Sequence, residues 1–302
     1  MNFYEAKTEI TLVCGDALAS LKNIPDNFIQ TCITSPPYFG LRNYEIDGQI
    51  GLEETPELYI SRLVEVFREI KRVLRDDGTL WLNLGDSYAR KNLIGIPWRV
   101  AFALQHDGWY LRSDIIWQKP NAIPESVKDR PTRSHEYVFL FSKSKKYYYN
   151  YEAIKEDAVN GDPNSPHGSI GTRSKNSGRR KQDEVGKRTY TGFNERYFSK
   201  PPLLKRNKRD VWTISVKPFL GSHFATFPPD LVVPCVLAGS SEGSVVADPF
   251  CGSGTVGMVS VQNNRRFIGI DLNPDYINIS EKRIAFAMEE KENSSLIINA
   301  CE

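Results

Sequence analysis

The stretch Asp248-Pro249-Phe250-Cys251-Gly252-Ser253-Gly254-Thr255-Val256-Gly257 constrains the fold of this chain more than any other. The apolar run Val245–Ala247 before it reads as a buried strand. Thr255–Gln262 after it has helical spacing, and Phe267–Ile270 reads as the next strand. The segment contains Gly-x-Gly-x-x-Gly, and Asp271 stands at the tip of that next strand, about 20 residues on. Glycines let the backbone turn tightly and approach a ligand closely, while an acid at the neighbouring strand tip can hold both hydroxyls of a ribose. A tight strand–helix turn that binds nothing would need the glycines but not Asp271, so the spacing points to an adenosine-containing cofactor. Asp248 separates the two main candidates. A carboxylate at the strand tip repels the pyrophosphate of a dinucleotide but suits the cationic methionine end of S-adenosylmethionine.

The rest of the chain alternates strand-like and helix-like segments. Ile10–Cys14 and Ile29–Thr34 are short β-rich runs, and Thr79–Leu84 is a third that follows the breaker Asp76-Asp77-Gly78. Pro56–Leu74 has apolar residues at helical spacing, with Thr55 as N-cap and Pro56 in the first turn. Helical patterns also cover Ile96–His106, Pro229–Ala238 and Pro274–Glu289, and strands are expected near Tyr110–Trp117 and Tyr137–Phe141. Alternation of this kind predicts an α/β fold with a mostly parallel sheet.

Thr34-Ser35-Pro36-Pro37-Tyr38 directly follows one of these strands. The exocyclic amine of a nucleobase is a poor nucleophile, because its lone pair is delocalised into the ring. Methylating it calls for two hydrogen-bond acceptors around the NH2, which draw the nitrogen toward sp³ geometry. The Ser35 oxygen and a main-chain carbonyl, that of Pro36, can supply them. Two prolines fix the carbonyl direction, since their φ is locked and they bring no N–H of their own. Tyr38 can stack on a base removed from the duplex. Taken alone, Ser-Pro-Pro is also an ordinary strand-ending turn.

Ser-Pro-Pro-Tyr together with Asp-Pro-Phe-x-Gly-x-Gly-Thr resembles the DNA amino-methyltransferases. The order, with the catalytic motif first, the cofactor motif last and a basic segment between, resembles their circularly permuted beta class. Gly15-Asp16-Ala17-Leu18, Gly78–Leu84, Arg209-Asp210-Val211-Trp212 and Gly269-Ile270-Asp271 extend the likeness. His223-Phe224-Ala225 matches less closely, with Phe224 where the family pattern has proline. The resemblance implies a Rossmann-like seven-stranded sheet with one antiparallel strand, and an S-adenosylmethionine pocket at the strand ends. In that pocket Asp271 would bind the ribose and Asp16 would lie near the adenine amino group. Asp248, Phe250, Gly252 and Gly254 would wall the methionine side, and the helix Pro229–Ala238 would close it. Asp16 reads equally well as the N-cap of a helix over Ala17–Leu21. Serine at the first catalytic position is associated in the family with N4 of cytosine and aspartate with N6 of adenine. N4-cytosine is therefore the expected target and N6-adenine the alternative.

Charge distribution supplies the partner. Between Thr172 and Arg209 there are thirteen Lys or Arg against three Asp or Glu, in a chain whose net charge is only +2. This segment suits a polyanion, and double-stranded DNA is the expected partner. A solvated charged loop is the plain alternative. Arg179, Arg180, Lys181 and Arg196 are the candidate DNA-binding residues, and Asn176, Gln182 and Asn194 can read base edges. The expected organisation is a catalytic half over residues 1–157, a target-recognition insertion over 158–209 and a cofactor half over 210–302. A non-enzymatic DNA-binding protein would explain the basic segment but would leave both motifs without a use. Methylation at carbon-5 of cytosine needs a cysteine nucleophile, and Cys235 lies in an apolar helical run that reads as core. Five scattered cysteines and four scattered histidines suggest neither disulfides nor a metal site. With no membrane span and no signal peptide in view, a cytoplasmic enzyme is expected, with a cognate restriction endonuclease as a candidate partner.

Overall fold

The computed structural model describes residues 9–158, 205–216 and 228–300. The candidate DNA-binding residues Arg179, Arg180, Lys181 and Arg196, and the segment His223-Phe224-Ala225, lie outside the described residues. The chain divides into two compact units, one of residues 1–153 with 209–302 and one of residues 154–208.

The larger unit is built on an eight-stranded sheet. Its strands in chain order are β1 (Ile10–Cys14), β2 (Ile29–Thr34), β3 (Leu74–Leu84), β6 (Tyr110–Gln118), β7 (His135–Ser142), β10 (Val211–Thr213), β11 (Val245–Asp248) and β12 (Arg266–Asp271). Between β3 and β6 lies a small hairpin of β4 (Tyr88–Ala89) and β5 (Asn92–Leu93). In space the order is β1-β12-β11-β2-β3-β7-β6-β10. β7 runs antiparallel to both its neighbours and the other seven strands are mutually parallel. The expected seven strands are present and β10 is an eighth. It is anchored where Ile116 N donates to Asp210 O (2.8 Å) and the Trp117 indole donates to Ile214 O (2.9 Å).

Helices cover both faces, which is why β2 is buried at every position. On one face lie α1 (Ala17–Leu21), α2 (Pro56–Val73) and α3 (Ile96–His106), and their apolar stripes meet alternate residues of the central strands, among them Leu80, Leu82, Leu84, Phe139 and Phe141. α2 begins as expected: Thr55 accepts the amide of Leu58 (3.3 Å), and Pro56 fills the first turn. It buries Tyr59, Leu63, Val66, Phe67, Ile70 and Val73, a spacing of three and four residues that keeps one face inward.

On the other face are α4 (Pro229–Gly239), α5 (Thr255–Gln262) and α6 (Pro274–Ala300). Gly239 lets α4 come down onto the sheet, since a Cβ there would stand 2.8 Å from both Thr31 Oγ1 and Trp81 Nε1. Cys235 faces the core with its thiol against Leu231 O (3.3 Å), which suits packing and not nucleophilic attack. The expected break at Asp76-Asp77-Gly78 falls inside β3, not before it. Ile29 pairs with Leu74 and Thr31 with Thr79, so the extra residues are absorbed as an irregularity in the ladder. α6 continues beyond Glu289 because no glycine or proline follows to end it.

In the smaller unit, β8 (Glu156–Asp157) pairs antiparallel with β9 (Lys205–Arg206). Arg206 with Glu156 (2.8 Å) and Lys205 with Asp157 (3.0 Å) add ion pairs along this short ladder.

Candidate active site

Parallel strands bring their C-terminal ends to one edge, and in open α/β sheets the ligand crevice lies there. β11 ends in Asp248, β12 in Asp271 and β2 in Thr34, with Ser35 next. The cofactor motif leaves β11 through two glycines with left-handed backbone, Gly252 (φ 49°) and Gly254 (φ 76°). At Gly254 a side chain is doubly disfavoured, since a Cβ would also meet Ser280 at 2.9 Å. α6 holds this loop from behind. The Ser280 hydroxyl donates to Gly252 O (2.6 Å), and the Arg283 guanidinium donates to both Ser253 O (2.6 Å) and Ser253 Oγ (2.7 Å).

The two acids of the motif differ in kind. Asp271 accepts the amides of Gly252 (2.8 Å) and Asn273 (2.9 Å), one on each oxygen, and each oxygen keeps a lone pair for a further donor. Burial raises its pKa against the effect of those amides. Asp248 is 1% exposed. Its Oδ1 accepts the Thr34 hydroxyl (2.6 Å) and the Phe250 amide (3.0 Å), while its Oδ2 is buried with no partner in the protein. Burial pushes its pKa up to about 7, opposed by those two hydrogen bonds. A buried carboxyl with one oxygen unpartnered in the protein has the chemistry to accept a cation. Phe250 is half-buried beside it, packed on the core. These groups fit S-adenosylmethionine: a diol acceptor in Asp271, a cation acceptor in Asp248, and a loop that brings the backbone close.

Asp16 realises its structural reading, with Oδ1 accepting the Ala19 amide (2.8 Å) as N-cap of α1. It is exposed at the end of β1, and Gly15 N donates to Asp271 O (2.8 Å), so the tips of β1 and β12 are joined.

Thr34 joins the two motifs. Its bond to Asp248 spans 214 residues of sequence and sets Ser35 beside the cofactor carboxylate. The Ser35 hydroxyl donates to Asn83 Oδ1 (3.1 Å), which leaves its lone pairs to accept. Pro37 O accepts the buried Tyr59 hydroxyl (2.8 Å), which locks the Pro-Pro turn onto α2. Tyr38 lies over Gly85, where a Cβ would come within 2.5 Å of its ring, and its hydroxyl reaches Glu136 Oε2 (2.7 Å) and Asn83 Oδ1 (2.9 Å). Burial and the Glu136 charge raise the Tyr38 pKa, so it stays a donor. Asn83 Nδ2 donates in turn to Glu136 Oε2 (3.2 Å) and Tyr137 O (3.1 Å). Glu136 is ion-paired to Lys119, whose ammonium lies 4.2 Å from the centre of the Trp117 ring.

Glu136 and Lys119 are site residues that motif reading misses, while Thr34 and Asn83 stand inside matched stretches without a role assigned to them. Asn83 carries one visible signal, a polar side chain near the tip of an otherwise apolar strand, Leu80-Trp81-Leu82-Asn83-Leu84. Glu136 and Lys119 carry none, because they come from β7 and from the end of β6 and converge only through the sheet.

A mostly parallel sheet with two buried carboxylates and a glycine loop at its strand ends, and Ser35 on the turn beside them, fits an S-adenosylmethionine-dependent methyltransferase. The profile of the DNA methylase family of N6/N4 methyltransferases matches residues 29–282, and the chain belongs to that family. It is 46% identical over 303 residues to the type II methyltransferase M.Cfr9I of Citrobacter freundii, across 91% of this chain and 87% of that one. Among solved structures it resembles the PvuII DNA methyltransferase, described as cytosine-N4-specific. There the TM-score is 0.66 at 18% identity, over 95% of this chain and 93% of that one. It also resembles the M1.HpyAVI–SAM complex, with TM-score 0.55 at 17% identity over 91% and 98%. The protein is thus an enzyme, a DNA methyltransferase with S-adenosylmethionine as its cofactor. Among the described residues no helix is long and apolar enough to cross a membrane.

Asp271→Ala should weaken S-adenosylmethionine binding by about 10- to 100-fold, the effect of losing charge-assisted hydrogen bonds. Titration calorimetry on the folded variant checks this, and unchanged affinity would remove Asp271 from the pocket.

Proposed function

We propose that the protein methylates N4 of cytosine at a specific sequence in duplex DNA, as the modification half of a restriction–modification pair. The observation that carries this reading is the Thr34–Asp248 hydrogen bond, which sets Ser35 next to the cofactor carboxylate. When bound, S-adenosylmethionine supplies an electrophilic methyl group. Asp271 would hold its ribose, and Asp248 and Phe250 would take its cationic methionine end. Ser35 Oγ, with its own proton committed to Asn83, accepts one N–H of the target amine. The Pro36 carbonyl accepts the other, since Tyr59 holds that of Pro37. Two acceptors would draw the nitrogen out of conjugation and free its lone pair to take the methyl as the carbon–sulfur bond of the sulfonium breaks, one N–H proton then passing to solvent. Tyr38, fixed by Glu136 and Asn83, supports the ring of the extruded base.

Serine at position 35, the residue associated in the family with N4 of cytosine, favours cytosine over adenine, in line with the description of the PvuII enzyme. Mass spectrometry of nucleosides from cells expressing the protein tests the base. N4-methylcytosine is expected, and N6-methyladenine would change the base while keeping the class.

Residues 158–209 form the target-recognition insertion of this reading. Neutralising Arg179, Arg180 and Lys181 together should flatten the salt dependence of DNA binding by about 3 in log–log slope, roughly 0.9 per phosphate contact. Cofactor affinity should not change. Equal slopes in a fluorescence titration would make this segment a solvated loop.

A further inference from the structure

The hairpin β4–β5 turns through two residues, Arg90 (φ 49°) and Lys91 (φ 65°), both in the left-handed region. A two-residue turn of this kind favours Asn-Gly, and long side chains with a Cβ are strained there. Arg90 and Lys91 are nevertheless both basic, adjacent and exposed. A turn that holds two cations against its own backbone preference points to a use for the charge.

The hairpin is tied to the catalytic motif, since the Ser87 hydroxyl at its base donates to Phe39 O (3.1 Å), one residue beyond Tyr38. It is also tied to the loop of residues 119–134. The guanidinium of Arg130 lies 4.1 Å from the centre of the Tyr88 ring and that of Arg133 lies 5.8 Å from it. That loop is pinned along its length. Lys119 is held by Glu136 at the active site, and Glu125 pairs with Arg130. Asn121 exchanges two hydrogen bonds with Val216, at 2.8 and 2.9 Å. Out of this fixed frame Ile123 projects 86% exposed, well above the other exposed large apolar side chains among the described residues. Four residues span at most about 14 Å, so Ile123 lies within that reach of Lys119.

We propose that hairpin and loop form one DNA-gripping surface on the catalytic unit, with Arg90 and Lys91 on backbone phosphates and Ile123 entering the base stack where the target base leaves it. This rests on the reading of duplex DNA as the substrate. Extrusion leaves a gap in the stack, and a rigid apolar side chain fills such a gap as a wedge. Arg90 and Lys91, adjacent at the hairpin tip, complement backbone phosphates beside that gap.

The test uses the full chain in three variants, with DNA methylation by the wild type as the control for the underlying reading. Arg90→Asn with Lys91→Gly installs the favoured turn, so the thermal midpoint should hold or rise. DNA affinity should fall on cognate and random duplexes alike, and the log–log salt slope should flatten by about 2, roughly 0.9 per phosphate. Unchanged affinity and slope would overturn the phosphate contacts. For Ile123, a duplex with 2-aminopurine beside the target base reports extrusion. Ile123→Ala should cut the fluorescence rise several-fold, while Ile123→Met, or an abasic site opposite the target, should restore it. A wild-type signal from Ile123→Ala would overturn the wedge. Self-association of the wild type in sedimentation, lost in Ile123→Ala with DNA binding intact, would assign the patch to a second copy and overturn it equally.

Discussion

Ser35→Ala is expected to lower kcat by roughly 100- to 1,000-fold, the effect of removing one preorganised hydrogen-bonding group from an active site. The bond from Ser35 to the target amine strengthens only as the nitrogen rehybridises, so its loss belongs to the transition state and KM should move little. Fold and cofactor pocket should survive. The Thr34–Asp248 bond uses the neighbouring side chain, and the Pro-Pro turn is held separately by Tyr59. Single-turnover methyl transfer beside cofactor and DNA titrations separates the two effects. A variant with wild-type turnover would remove Ser35 from the mechanism, and equal losses in affinity and rate would make it a binding group.

Motifs whose residues sit next to one another in sequence were legible before the fold was known. The cofactor loop needs its glycines and its aspartates at fixed offsets from strand ends, and both Ser-Pro-Pro-Tyr and Asp271 stand at strand tips as that logic requires. α2 was equally readable, since its cap, its proline and its apolar spacing all lie within one segment. What could not be read depends on strand order. Asn83, Glu136 and Lys119 meet because β7 is inserted antiparallel between β3 and β6, and nothing local in those three segments announces it. The eighth strand escaped for the same reason: Val211–Thr213 is too short to show a period and becomes a strand only beside β6. Asp16 shows the opposite limit. Its cap is a local bond and was visible, whereas a role toward adenine depends on the ligand.

The largest pH effect should come from Asp248. In the cofactor-free protein its pKa is pushed from an ordinary 3.8 to about 7, first by burial and last by the Asp271 charge, against the Thr34 hydroxyl and the Phe250 amide. The folded state therefore holds this proton more tightly than the unfolded chain. The resulting stability is fully present below about pH 4 and is lost as the pH rises through about 7, an amount on the order of 4 kcal/mol. Asp248→Asn keeps the shape but removes the titration, so its cofactor-free stability should change much less over that range. Cofactor binding should run the other way. A cationic ligand at Oδ2 favours the ionised acid, so binding to the wild type should tighten about tenfold per pH unit between pH 5.5 and 7 and then level off. It should also release a proton in the acid part of that range. Calorimetry of S-adenosylmethionine binding in two buffers of different ionisation enthalpy reads both quantities. A flat profile for the wild type, or the same slope in Asp248→Asn, would mean that the carboxyl does not face the cation and that its buried Oδ2 serves the protein alone.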